Sequence, residues 1–337
     1  MLVILSLLLP KGRVVVRTRE FSKLMASLVG LNPRQLALLA GHVEVLHGQR
    51  EVQALVSERL AYEGACPHCA NSGFARWGYT PAGEQRYRCK ACRKSFTGLT
   101  GTPFGRIHDK DLLLDNATCM KESLSVRKTA EALGVHRNTA FRLRQLMMPL
   151  LATHQPSELL GVAEVDEAFF RRSFKGLKKG MPRKAHKRGS PASKRGISKE
   201  QVAVLTAVSR GSRGSHITVL PSVPSAVSIE AALAPVMRSD TVLCSDSASA
   251  YKAAAKSMGV LLRQIPRGSH KLGPYHIQNV NALHSRIKGW MRPFRGVATK
   301  NLPAYLAWFR FFDRALGVVK PRQLLLDAFG VPSTNTI

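Results

Sequence analysis

Apolar residues recur along this chain in two rhythms, and the change from one to the other divides it. Between residues 32 and 60 they fall at helical spacing, and the run stops just before Gly64, which predicts a helix. Residues 109–150 carry a second helical cluster. From Gly161 the pattern shifts to short apolar runs of strand type at 161–170, 201–210 and 215–222. A helical stretch at 228–237 follows, then a strand at 241–246, a helix at 247–258, a strand at 261–266, and helices beyond Asn279. The order β-β-β-α-β-α-β-α predicts an α/β fold, an RNase H-like mixed sheet flanked by helices. The opening run 1–10 is apolar but well short of the roughly 20 residues a membrane span needs. It has no basic residue ahead and no small-residue cleavage site behind, so it reads as a buried strand or an upstream start rather than a signal peptide.

Two CxxC units, Cys66-Pro67-His68-Cys69 and Cys89-Lys90-Ala91-Cys92, stand with 19 residues between them. A CxxC turn aims both thiolates at one ion, and two facing turns complete a tetrahedral Zn²⁺ site of four sulfurs. Four protein ligands leave no open position, so the expected zinc is structural, and in a module this small it supplies folding energy. Paired knuckles, with Cys119 and Cys244 alone, indicate metal ligation in a reducing cytoplasm rather than disulfides.

Downstream, residues 125–133 read as a helix capped by Ser123 or Ser125, Gly134 permits a tight turn, and 136–144 begins a second helix. Ala130, Leu133, Val135 and Ala140 are small or apolar where the two helices must cross. Arg137, Asn138, Arg142 and Arg144 then project as a recognition helix in a major groove would require. An ordinary helical hairpin with a basic face is the alternative.

Charge supports the DNA reading. Lys and Arg number 51 against 21 acids, a net charge of +30, and a protein so basic usually meets a polyanion. The block 171–199 has many Lys and Arg and no acid. It reads as a loop that orders on a DNA backbone, with Lys184, Lys187 and Arg188 as contacts, or else as a solvated insertion.

Asp166 interrupts a strand-like run, and a carboxylate there is costly unless paired or bound to metal. Asp246 closes the strand 241–246, at the strand end where α/β sites are assembled. Asn281, His284, Ser285 and Lys288 share one face of the next helix. Two carboxylates and a third oxygen suit Mg²⁺ or Mn²⁺, and Lys288 could clamp a phosphate. Glu164, on the Asp166 face, is a reserve ligand, whereas Glu167 points to the other face. His284 could assist the metal or the leaving group, and His270 and His276 could touch DNA. Trp290, Trp308 and Phe309 read as core.

Ribbon, helix pair, VDEAFF, CSDSASAYK and the long motif from Asn279 to Phe309 together resemble the bacterial insertion-sequence transposases of the IS-fifteen-ninety-five family, over roughly residues 60–315. The resemblance implies that Asp166, Asp246 and Asn281 form the metal triad of an Asp-Asp-Asn site and that Lys288 is the signature lysine. It also implies cleavage and joining of an element bounded by terminal inverted repeats in double-stranded DNA. Joining two ends implies a homo-oligomer, in a bacterial nucleoid-associated, cytoplasmic setting without membrane. The expected organisation is a helical arm at 1–60, a zinc ribbon at 61–104, a helix-turn-helix domain at 105–155, a catalytic domain at 160–316 with the basic insert 171–199, and a tail at 317–337. A DNA-binding regulator without catalysis, a structure-specific nuclease and a dead transposase copy are the rival readings.

Overall fold

The computed structural model describes residues 17–331, apart from 82, 108, 152–157, 178, 183–197, 211–213, 222 and 315–318. The opening run 1–10 and the expected DNA contacts Lys184, Lys187 and Arg188 lie outside the described residues. The described chain forms two compact units, one reaching Thr118 and resuming at Pro321, the other Cys119–Lys320. No described helix is long and apolar enough to cross a membrane.

The first unit begins with helices α1 (Thr18–Leu28) and α2 (Pro33–Glu63). Asn32 and Gln35 cap α2 reciprocally, each side chain accepting the other's backbone N–H at 2.9 Å. The helix ends, as its pattern predicts, at Gly64. Strands β1 (Phe74–Tyr79), β2 (Gln85–Cys89) and β3 (Ser95–Thr97) form an antiparallel sheet in that order. Leu60, Cys66, Cys89 and Phe96 make its small core, with Phe74 and Tyr87 packed against it. The segment read as a tail contains a further helix, Pro321–Ala328, whose Leu324, Leu325 and Leu326 are buried. Arg59 of α2 reaches this segment, donating to the Phe329 carbonyl at 2.9 Å.

The boundary falls within α3 (Leu112–Lys121), whose last three residues open the second unit, followed by α4 (Val126–Ala132) and α5 (Arg137–Leu151). Ser125 is the cap of α4, and Gly134 has φ +61°, so the turn between the helices uses the left-handed backbone that glycine adopts without strain. Ala130 and Ala140 are buried, as the close crossing requires.

The rest of the unit runs β4 (Val162–Arg171), β5 (Gln201–Ser209), β6 (Ser215–Val219), α6 (Ala226–Leu233), β7 (Val242–Ser245), α7 (Ser249–Met258) and β8 (Leu261–Gln264). A short hairpin, β9 (Lys271–Leu272) and β10 (Tyr275–His276), leads into α8 (Gln278–Met291) and α9 (Leu302–Arg314). Five strands form one mixed sheet in the order β6-β5-β4-β7-β8, antiparallel across β6, β5 and β4 and parallel from β4 through β7 to β8. Both faces are covered, which explains why β5 reads as a continuous apolar run. Its Ala203 and Leu205 pack with Ile229, Leu233 and Tyr251 of α6 and α7. Its Val202 and Val204 pack with Leu283, Ile287 and Leu306 of α8 and α9.

The helix pair expected as a separate domain is built into this unit. Trp308 of α9 is fully buried and donates its indole N–H to the Met120 carbonyl at 3.2 Å. Trp290 of α8 donates to Ser123 Oγ at 2.8 Å. The rings of Trp290, Phe294, Tyr305 and Trp308 interlock edge to face or tilted, with centroids 4.7–6.5 Å apart.

Candidate active site and metal centre

Register brings the two aspartates together. Val162 pairs with Val242 and Glu164 with Cys244 in parallel. Continuing that register two residues further sets Asp246 beside Asp166. Val165 packs toward α6 and α7, so Asp166 faces α8, as strand alternation demands. Burial pushes the Asp166 carboxyl up to about 6, Asp246 adds to the rise, and Lys288 opposes it. Asp246 is itself fixed by the Ala248 backbone N–H, donated to its Oδ1 at 3.0 Å.

Helix α8 enters this site at its first turn because Glu164 holds it there. The Glu164 carboxylate is fully buried and accepts the backbone N–H of Asn279 at 2.8 Å, its side-chain amide at 2.7 Å and the N–H of Val280 at 3.3 Å. Arg210, at the end of β5, donates Nε to it at 2.7 Å, and His276 Nδ1 lies 3.1 Å away. A carboxylate at a helix N-terminus matches the positive end of the helix dipole and meets N–H groups that lack helical partners. Glu164 is therefore committed to the helix and is not a reserve ligand. His276, considered for DNA, is turned onto this carboxylate instead.

One stripe of α8 carries Asn281, His284 and Lys288 at helical spacing. Asn281 and Lys288 are exposed. His284 is buried, its Nδ1 3.8 Å from Asp166 Oδ2 and its Nε2 2.5 Å from Thr206 Oγ1. Thr206 in turn donates to the Asp166 carbonyl at 3.0 Å. Burial first, then the charge of Lys288, lowers His284 to about 4, so the ring is neutral and oriented rather than a surface histidine. On the opposite face Glu167 accepts the Tyr251 hydroxyl at 2.8 Å, and burial raises it to about 7, with Asp166 and Asp246 adding. Arg210, Thr206 and Tyr251 carry no spacing signal. Only the pairing of β4 with β5 and the packing of α7 bring them here.

The donor set of Asp166 within β4 and Asp246 after β7 fits a hard divalent cation. Asp166 and Asp246 offer oxygens that repel each other when ionised, and a cation between them removes that repulsion. The sulfurs of Cys66, Cys69, Cys89 and Cys92 lie within 4.8 Å of one another, a spacing that fits one Zn²⁺. Backbone N–H groups at Cys92 and Ala91 lower Cys89 to about 7, whereas burial and the neighbouring thiols push Cys92 up to about 11. A cleft of about 410 Å³ sits beside the first knuckle, lined by Arg59, Glu63, Pro67 and His68 among others. Asp166 lies within β4 and Asp246 just past the end of β7.

Of the expected recognition residues, Arg137, Asn138 and Arg142 are exposed on α5. Arg144 is not. It is fully buried, donates to the Leu124 carbonyl at 2.5 Å and to Thr129 Oγ1 at 2.8 Å, and lies 4.9 Å from the centroid of the Trp308 ring. The assignment of Arg144 to DNA is therefore corrected, because α5 turns that position into the packing with α9. A stripe read from one helix alone does not reveal which of its basic residues a neighbouring helix covers.

Residues 158–312 match the family described as ISXO2-like transposase domain. An uncharacterized protein in transposable element ISH50 of Halobacterium salinarum is 26% identical over 251 residues, covering 73% of this chain and 83% of that protein. Both findings agree with the insertion-sequence resemblance of the sequence motifs. The matched stretch carries Asp166, Asp246, Asn281 and Lys288, and the similarity is to ISXO2-like transposase domains.

Proposed function

We propose that this protein is an active DNA transposase that binds the terminal inverted repeats of its element and performs strand cleavage and strand transfer at one site. The observation that supports the reading is the electrostatic coupling of Asp166, on β4, to Asp246, just past the end of the parallel neighbour β7, and to Lys288. The strand order β6-β5-β4-β7-β8, with three antiparallel strands followed by two parallel ones, supports an RNase H-like catalytic domain.

Asp166 and Asp246, with the amide oxygen of Asn281, would hold Mg²⁺ or Mn²⁺. Bound there, the cation supplies a more acidic water or 3′-hydroxyl and stabilises charge in an in-line phosphoryl displacement. A neutral Asn as third ligand contributes an oxygen without a charge. Lys288 holds a phosphate of the strand being cut. His284, neutral and tied to Thr206, limits the freedom of the Asp166 carboxylate. Glu164 keeps α8 at the strand ends, so Asn281 and Lys288 stay aligned with the aspartates.

Recognition falls to the α4–α5 pair, with Arg137, Asn138 and Arg142 as base-reading candidates and phosphate contacts supplying most of the affinity. The insert 171–199 adds phosphate neutralisation. Zn²⁺ on the four cysteines holds the ribbon together, and the active assembly is a homo-oligomer because two ends are joined. A labelled duplex ending in the flanking inverted repeat, incubated with Mg²⁺ and the protein, tests the reading. Cleaved and joined products support it. Binding without cleavage or joining in Mg²⁺ and Mn²⁺ alike transfers the assignment to a regulator or a dead copy.

A further inference from the structure

The ribbon presents a surface that neither its zinc site nor the catalytic centre uses. Strand alternation places Phe74, Tyr87, Cys89 and Phe96 on the inner face and Ala75, Trp77, Arg86 and Arg88 on the outer one. Trp77 is 48% exposed, and Tyr79 at the hairpin end is 49% exposed. An irregularity between Arg76 and Tyr79, with Gly78 at φ +69°, shifts the register and twists the hairpin end.

The arginines around Trp77 are fixed in place. The Arg88 guanidinium lies 4.6 Å from the centroid of the Trp77 ring and donates Nε to the Arg93 carbonyl at 3.1 Å. Arg86 donates Nε to the Trp77 carbonyl at 3.1 Å. Both side chains are thus anchored at Nε. Between Cys66 and Phe104 the sequence has six Lys and Arg residues and a single acid, Glu84, which pairs with Lys110. Among the described residues no carboxylate forms an ion pair with Arg76, Arg86, Arg88, Lys90, Arg93 or Lys94.

We propose that this outer face binds an unpaired nucleotide of a DNA strand, with the base stacked on Trp77 and the flanking phosphates held by Arg86, Arg88 and Arg93. An aromatic ring on a sheet, bordered by oriented guanidinium groups, suits single-stranded nucleic acid because every base has a π-face and every linkage a phosphate. Bases inside an intact duplex are stacked on each other, so the face selects overhangs, frayed ends or nicks over blunt duplex. The inference rests on the transposase reading only for its premise that DNA is the partner, and its test needs no cleavage.

The experiment uses full-length zinc-loaded protein carrying Asp246→Ala, with two DNA hairpins of the same stem, one blunt and one with a short single-stranded overhang. Trp290 is partly buried and Trp308 fully buried, so Trp77 is the indole of the three best placed for quenching by a stacked base. The overhang is expected to quench tryptophan fluorescence where the blunt hairpin does not, and to bind about tenfold more tightly. Trp77→Ala is expected to bring that ratio near one with zinc content unchanged, and Trp77→Phe to keep most of it. A ratio that survives Trp77→Ala overturns the proposal, as does overhang binding without quenching. So does a DNA-free, concentration-dependent quench with a change in oligomeric state, which would make the face a contact between copies of this chain. Failure of strand transfer alone, with the quench intact, would sink the transposase reading and leave this one standing.

Discussion

The Glu164 carboxylate accepts the backbone N–H of Asn279 at 2.8 Å, so a side chain of the central strand closes the first turn of the helix that carries Asn281 and Lys288. The same carboxylate neutralises Arg210. Glu164→Gln keeps the shape, removes the charge and leaves Arg210 without its counter-ion. A destabilisation of about 3 kcal/mol is expected in denaturant melts, and strand transfer should fall by far more than DNA affinity, since α8 loses its alignment with the aspartates. Wild-type strand transfer in a folded Glu164→Gln protein would show that the clamp has no part in the site.

The aspartate pair makes a prediction with a definite sign. Asp166 and Glu167 are raised to about 6 and about 7, above their unfolded values. Their contribution to stability is present while they are protonated and is lost as pH rises through those values. A divalent cation that relieves the ionised pair should therefore raise Tm more at about pH 8 than at about pH 5.5. Melting with and without Mg²⁺ at both values checks this, and comparing the shifts cancels the titration of other groups. Equal shifts would speak against a cation at Asp166 and Asp246.

Two arginines two residues apart on α5 should behave oppositely. Arg142 is exposed and Arg144 is buried against Trp308. Arg142→Ala should weaken repeat binding and leave Tm within about 1 °C, as surface changes do. Arg144→Ala should cost about 2–3 kcal/mol through its lost hydrogen bonds, lowering Tm. A loss of DNA affinity from Arg144→Ala without a fall in Tm would return that residue to the interface.

The sequence made the periodic parts of this molecule readable: α2 with its end at Gly64, the succession of strands and helices from β4 to α8, and the four cysteines. It also drew attention to Asp166 and Asp246, because a carboxylate in an apolar strand and one at a strand end are visible anomalies. Its misreading of Glu164 and Arg144 has one physical cause. Each lies on the face that the local pattern assigns it, but what meets that face comes from 115 residues away at Asn279 and from α9. Helical periodicity shows which side a residue takes and not what covers that side.

Zinc removal should dissect the two units. The ribbon core is small, and its four sulfurs converge on one point. A chelator should melt residues 66–97, seen as loss of hydrogen-exchange protection there, while β4 to β8 remain protected. Cys89→Ser should give the same selective loss. Protection of the ribbon in metal-free protein would contradict a folding role for the ion.

The most direct test of the central claim is strand transfer in vitro by wild type, Asp166→Ala and Asp246→Ala side by side, on a labelled duplex carrying the element end, with Mg²⁺ and with Mg²⁺ chelated. The account predicts joined product from wild type with Mg²⁺ alone, and inverted-repeat affinity within about threefold for all three proteins, since phosphate contacts made elsewhere dominate binding. Joined product from either variant, or from wild type with Mg²⁺ chelated, would contradict it.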